Sequence, residues 1–109
     1  MSQTVPSILG QTKPTAGVDT TLFSVGVNYQ AQFTVYVANQ GSTPDTFTVA
    51  LVPNGGIEQG ASYIAYNTAI LANGVVALSG LFLNSGDRVQ VASSQGQCSF
   101  TATGLTITP

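Results

Sequence analysis

Hydrophobic and polar residues alternate along most of this chain. Over residues 30–39, Phe33, Val35 and Val37 fall on one side, and Gln32, Thr34, Tyr36 and Ala38 on the other. A period of two predicts a strand with one buried face. Over 46–52, Phe47, Val49 and Leu51 alternate with Thr46, Thr48 and Ala50, and Pro53 ends the run because it has no N–H for a ladder. Gly41-Ser42-Thr43-Pro44-Asp45 between them is a turn cluster. The two strands are therefore expected to pair as an antiparallel hairpin.

Weaker runs surround this centre. Residues 20–25 are rich in β-branched and aromatic types, which predicts a short strand ended by Gly26. In 62–70, Tyr63, Ala65 and Asn67 share one side and Ile64, Tyr66 and Thr68 the other. Neither side is uniformly polar, which suggests a strand with structure against both sides. A helix is the rival reading, since Ile64, Thr68 and Leu71 also have helical spacing. Asn73-Gly74 is a strong signal for a tight hairpin turn. Beyond it, 75–79 and 81–83 flank Gly80, where a bulge in an edge region is expected. Residues 88–93 and 98–102 alternate again, with Val89, Val91, Cys98, Phe100 and Ala102 inward, and 105–107 close the chain.

About seven or eight short strands with turns between them and no credible helix predict an all-β fold, a single β-sandwich, immunoglobulin-like or jelly-roll-like. Its expected core is Phe33, Val35, Val37, Phe47, Val49, Leu51, Leu78, Val89, Val91 and Phe100. Residues 1–18 read differently. Pro6, Gly10, Pro14 and Gly17 punctuate them, and Ile8-Leu9 is the main apolar anchor. They are expected to form an extended N-terminal arm, lying on a neighbour or frayed, with the sandwich over 19–109.

Composition narrows the chemistry. Of 109 residues, 39 are Ser, Thr, Asn or Gln, while charged residues are 6% against roughly 25% in ordinary domains. There is no His, hence no imidazole base or ligand, and a single Cys allows no intrachain disulfide. Two basic residues cannot neutralise a run of phosphates, so nucleic-acid binding is not expected. No apolar run approaches the length of a membrane helix, and the opening Met-Ser-Gln-Thr-Val-Pro lacks the regions of a secretory signal. No catalytic residue, cofactor or metal is expected, and the chain reads as a structural or binding module rather than an enzyme. Net charge −2 also leaves little self-repulsion between copies.

Individual residues carry limited signals. Asp45, Glu58 and Asp87 lie in or beside Gly-rich turns, where acids commonly serve turn geometry. Asn84, Ser85 and Asp87 offer oxygens to calcium, but without the pattern of a calcium loop a turn is the simpler reading. Cys98 alternates with Phe100 and reads as a small buried apolar residue. The interface candidates are Ile8 and Leu9 in the arm, Arg88, half of all the basic charge, and Tyr36, Tyr63 and Tyr66, since tyrosine at outward strand positions is common on binding surfaces.

Several motifs resemble a known family. Lys13-Pro14-Thr15-Ala16 leads into Thr20-Thr21-Leu22-Phe23-Ser24-Val25. Then come Val37-Ala38-Asn39-Gln40, Tyr63-Ile64-Ala65-Tyr66 and Asp87-Arg88-Val89-Gln90-Val91. In this order they resemble the small all-β virion proteins of tailed bacteriophages, including cyanophages, across roughly residues 11–107. Gly26 stands where that pattern usually has Pro, Ala38 where it often has Cys, and Asn67 where it usually has an acid. The resemblance implies a capsid cement or decoration protein that binds the outer shell and bridges major capsid proteins. It also implies a homo-oligomer, with a trimer favoured, assembled in the host cytoplasm and located in the virion. A tail-fibre or baseplate subunit is the alternative, and a carbohydrate-binding sandwich module is a third reading.

Overall fold

A computed structural model describes residues 3–108. It contains β1 (Gln3–Thr12), β2 (Thr20–Ser24), β3 (Gln30–Asn39), β4 (Asp45–Val52), β5 (Tyr63–Ile70), β6 (Val75–Leu83), β7 (Arg88–Ser93) and β8 (Cys98–Thr108). A single 3-10 turn, Gly60–Ser62, precedes β5. The strands form two four-stranded antiparallel sheets, in the orders β1-β8-β3-β6 and β2-β7-β4-β5. The fold is an all-β sandwich.

The pairing is nested. β1 pairs with β8, β2 with β7, β3 with β6, and β4 with β5. The chain is thus one long antiparallel ribbon whose tip is the β4–β5 loop. Rolled up, it is closed by the β3–β8 and β4–β7 ladders. This is the strand order of a jelly roll, which decides between the two sandwich types left open by the sequence.

The same order corrects the predicted hairpin. β3 and β4 lie in opposite sheets, and so do β5 and β6 on either side of Asn73-Gly74. Asn73 does adopt the left-handed conformation its turn requires, with φ 58°. Its turn, however, carries the chain from one sheet to the other. Buried Asn39 fixes this end: its side-chain amide donates to the carbonyls of Thr43, Ile70 and Leu71.

The alternation seen in the sequence fills the space between the sheets. Phe33, Val35, Val37, Phe47, Val49, Val89, Val91 and Phe100 are buried together, with Leu51 and Leu78 packed at the margin. Phe47 and Phe100 meet edge to face across the sandwich, and so do Phe23 and Phe33. Removing side chains of this size from such a core costs about 3–5 kcal/mol each.

The segment expected as an arm is instead an edge strand over Gln3–Thr12, paired with β8 along its length. Leu9 sits at a register shift and packs against the core, whereas Ile8 points outward. Pro6 is tolerated because an edge strand has one side without a ladder partner. The Gly80 bulge occurs as expected, in edge strand β6, with φ 75°. β5 is also an edge strand and largely exposed, not covered on both sides. Its blurred alternation comes from register shifts against β4, with Asn67 at φ 46°.

Candidate functional site

The two outer faces of the sandwich differ in chemistry. On the β2-β7-β4-β5 side, β4 breaks its alternation: Ala50 and Val52 point away from the central core, yet both are 0% exposed. The long β4–β5 connection, residues 53–62, folds back over them, and its 3-10 turn packs on β4. We call this segment the strap. The sequence reading placed Ala50 on the solvent side, because periodicity carries no trace of a loop that returns over its own sheet.

Several contacts pin the strap. Arg88 points outward from β7, and both terminal guanidinium nitrogens donate to the Gly56 carbonyl at 3.4 Å. The Tyr63 hydroxyl donates to Glu58 Oε2 at 3.0 Å. The Asn54 N–H donates to Asp87 Oδ1 at 2.8 Å, while the other oxygen of Asp87 accepts the Asn84 N–H of its own turn. Asp87 therefore serves turn geometry, as expected.

Glu58 does more than shape a turn. Burial, and then the nearby Asp19 carboxyl, raise its pKa above the ordinary value, while the Tyr63 hydroxyl pulls it down. Its Oε1 is buried without a partner among the described residues. Tyr63 is raised in turn, first by its hydrogen bond to Glu58. Gln90 joins the group, donating to Asp19 and accepting from the Thr21 hydroxyl. Asp19, Glu58 and Arg88, half of the chain's six charged side chains, thus meet on one face.

Beside them, the Tyr63 and Tyr66 rings lie 4.7 Å apart between centroids. In a regular strand, residues three apart point to opposite sides. The β5 register shifts at Val49/Ala50 and Phe47/Val49 bring both tyrosines outward. Tyr66 is 63% exposed, and Ile57 on the strap is 72% exposed.

The other face, formed by β1, β8, β3 and β6, has no Asp, Glu, Lys or Arg in any of its four strands. Ile8 and Tyr36 lie exposed on it, as does Phe82, which the sequence reading did not single out. The six interface candidates therefore do not form one patch. Tyr63, Tyr66 and Arg88 gather on the strapped face, Ile8 and Tyr36 stand on the opposite face, and Leu9 turns into the core.

A third polar cluster ties the two sheets together at one end. Asp45 is buried and accepts hydrogen bonds from the Thr46, Gln95 and Gln97 N–H groups, the Ser93 hydroxyl and the Cys98 thiol. Burial alone would raise its pKa, but the hydrogen bonds outweigh that and hold the carboxyl below its ordinary value. Asp45 thus knots the β7–β8 turn from the neighbouring strand of its own sheet and reaches Cys98 of the other, a stronger role than shaping its own turn. Burial pushes the Cys98 thiol up to about 11, so it packs as a protonated apolar group.

Among the described residues, no three His, Cys, Asp or Glu side chains are grouped to hold a metal ion. No helix among them is long and apolar enough to cross a membrane. Comparison with protein-family models, with curated proteins and with solved structures found no match.

Proposed function

We propose that the chain is a structural protein of a bacteriophage virion, a decoration subunit that docks on the major capsid protein through its strapped face. The observation that carries this reading is the prearranged Tyr63–Tyr66 pair beside Arg88 and exposed Ile57. Tyrosine and arginine dominate the energetics of protein interfaces, above all when their conformations are already fixed. Here the strap holds Arg88 and Tyr63 before any partner arrives. The motif resemblance supports the same reading. So does the jelly-roll architecture, which recurs in viral capsid domains, although that support is by analogy of fold.

The mechanism is mechanical. A subunit that binds only the assembled lattice stabilises that lattice by linkage, in proportion to its occupancy. Low net charge lets many copies lie close together, and a trimer suits the closed symmetry usual for such assemblies. The direct test adds purified protein to decoration-free shells of the encoding phage and measures binding by sedimentation. Wild-type protein should pellet with the shells, while Tyr66→Asp and Ile57→Asp should remain in the supernatant. Equal pelleting of all three would refute docking through this face.

A further inference from the structure

The uncharged face carries a feature that the docking reading does not use. Three depressions adjoin on it. One of about 330 Å3 lies by the β2–β3 and β6–β7 turns, and shares Gln30 and Asn84 with one of about 390 Å3 beside Phe82. That one shares Gln32 with a third, of about 210 Å3, beside Gly80. Together they make a groove running from the turn end of the sandwich across β3 and β6. The two larger depressions each fall in the size range of small-ligand sites, about 300–1,000 Å3.

The lining selects the ligand. Asn28, Gln30, Gln32 and Asn84 present exposed side-chain amides. The Asn28, Gln30 and Gln32 amides each offer a donor and an acceptor side by side, a match for vicinal hydroxyls, while Asn84, whose oxygen accepts the Ser85 N–H, offers its amide donors. Tyr29 and Phe82 add exposed rings, Phe82 at 65%, directly across the ladder from Gln32. A flat apolar ring next to an amide suits a molecule with one apolar and one hydroxylated side. The one charged side chain in the lining is Asp87, and each of its oxygens already accepts a backbone N–H.

An ionic ligand would lose its hydration here without a counter-charge, and a nucleic acid would find no cation for its phosphates. A peptide adding as a strand needs a regular open edge, whereas β3 and β8 beneath the groove are hydrogen-bonded on both sides and the edge strand β6 is broken by its Gly80 bulge. We propose that this groove binds a neutral, unbranched oligosaccharide. The Ser85 hydroxyl donates to the Tyr29 carbonyl at 3.0 Å and ties the two turns together, so the site is largely formed in advance. The proposal stands whether or not the chain is a virion subunit. In a decoration subunit docked by its strapped face, the groove would face away from the shell.

The test is an array of neutral linear oligosaccharides of glucose, galactose, N-acetylglucosamine and rhamnose, followed by amide-detected NMR titration of the full chain with the best binder. Saturable shifts should map to Gln30, Gln32, Phe82 and Asn84. Phe82→Ala should weaken binding by about tenfold. Leu71→Ala, an exposed change at the far end of the sandwich, should leave it unchanged. Absence of binding across the array, shifts that map elsewhere, or full affinity in Phe82→Ala would each overturn the proposal. The folded spectrum of each variant separates loss of the site from loss of the fold.

Discussion

The two outer faces of this sandwich arise from similar alternating strands but are finished in different ways. The β1-β8-β3-β6 face is left bare: its outward residues are amides, hydroxyls and scattered apolar side chains, with no charge. The β2-β7-β4-β5 face is covered by the strap, which buries Ala50 and Val52 and gathers Asp19, Glu58 and Arg88. An antiparallel sheet needs only one face packed on a core. The second layer on the strapped side is therefore additional structure, and it fixes the orientation of the Tyr63 and Arg88 side chains.

The sharpest way to break this comparison is to place the same charge on both faces. Val52→Asp buries a carboxylate beneath the strap and should cost about 3–5 kcal/mol in denaturant unfolding. Thr34→Asp, on the bare face, should change stability by no more than about 0.5 kcal/mol. Equal small effects would mean that the strap does not close over β4 in solution.

Asp45 sets the next largest effect, since it serves both sheets at once. Asp45→Ala leaves the Ser93 hydroxyl and the Gln95 and Gln97 N–H groups without their acceptor, and should cost about 2–3 kcal/mol. At roughly 4–8 °C per kcal/mol, calorimetry would resolve this easily.

The pH dependence then separates the knot from the strap. The folded pKa of Asp45 lies below its ordinary 3.8, so its contribution is present above that value and lost as pH falls through the folded pKa. The folded pKa of Glu58 lies above its ordinary 4.5, so the folded state holds this proton more tightly. Stability from Glu58 is therefore present below 4.5 and declines as pH rises through the raised value. Unfolding measured across the acid range should show both limbs. Glu58→Gln should remove only the upper decline, and Asp45→Asn only the acid loss. An upper decline that persists in Glu58→Gln would assign it to another group.

The smallest effect concerns Phe82. Because its ring is mostly in solvent, Phe82→Ala should alter stability by less than about 0.5 kcal/mol. A larger loss would show that the ring supports the fold and would weaken its reading as a binding platform.

Strand positions and inward residues were legible because periodicity reports burial directly. Phe33-Val35-Val37 and Phe47-Val49-Leu51 needed no tertiary information. Pairing was not legible: the turn signals at 41–45 and Asn73-Gly74 mark reversals of the chain, and a reversal serves equally to close a hairpin or to cross between sheets. The β1 strand was hidden by Pro6 and Gly10, residues that an edge position next to a bulge tolerates. The strapped site was half legible. Tyr63, Tyr66 and Arg88 stood out by residue type, but their meeting with Glu58 and Asp19 depends on the return of the strap. Phe82 and the amides around it carried no local signal, because Gln and Asn are common throughout this chain.

The proposed virion role is tested most directly by the copy number of this protein, measured by quantitative mass spectrometry against the major capsid protein, in phage particles purified from a source that expresses it. The account predicts hundreds of copies per particle, as expected for a subunit spread over the shell. A few to tens would move it to the tail, and absence from the particle would contradict a virion role altogether.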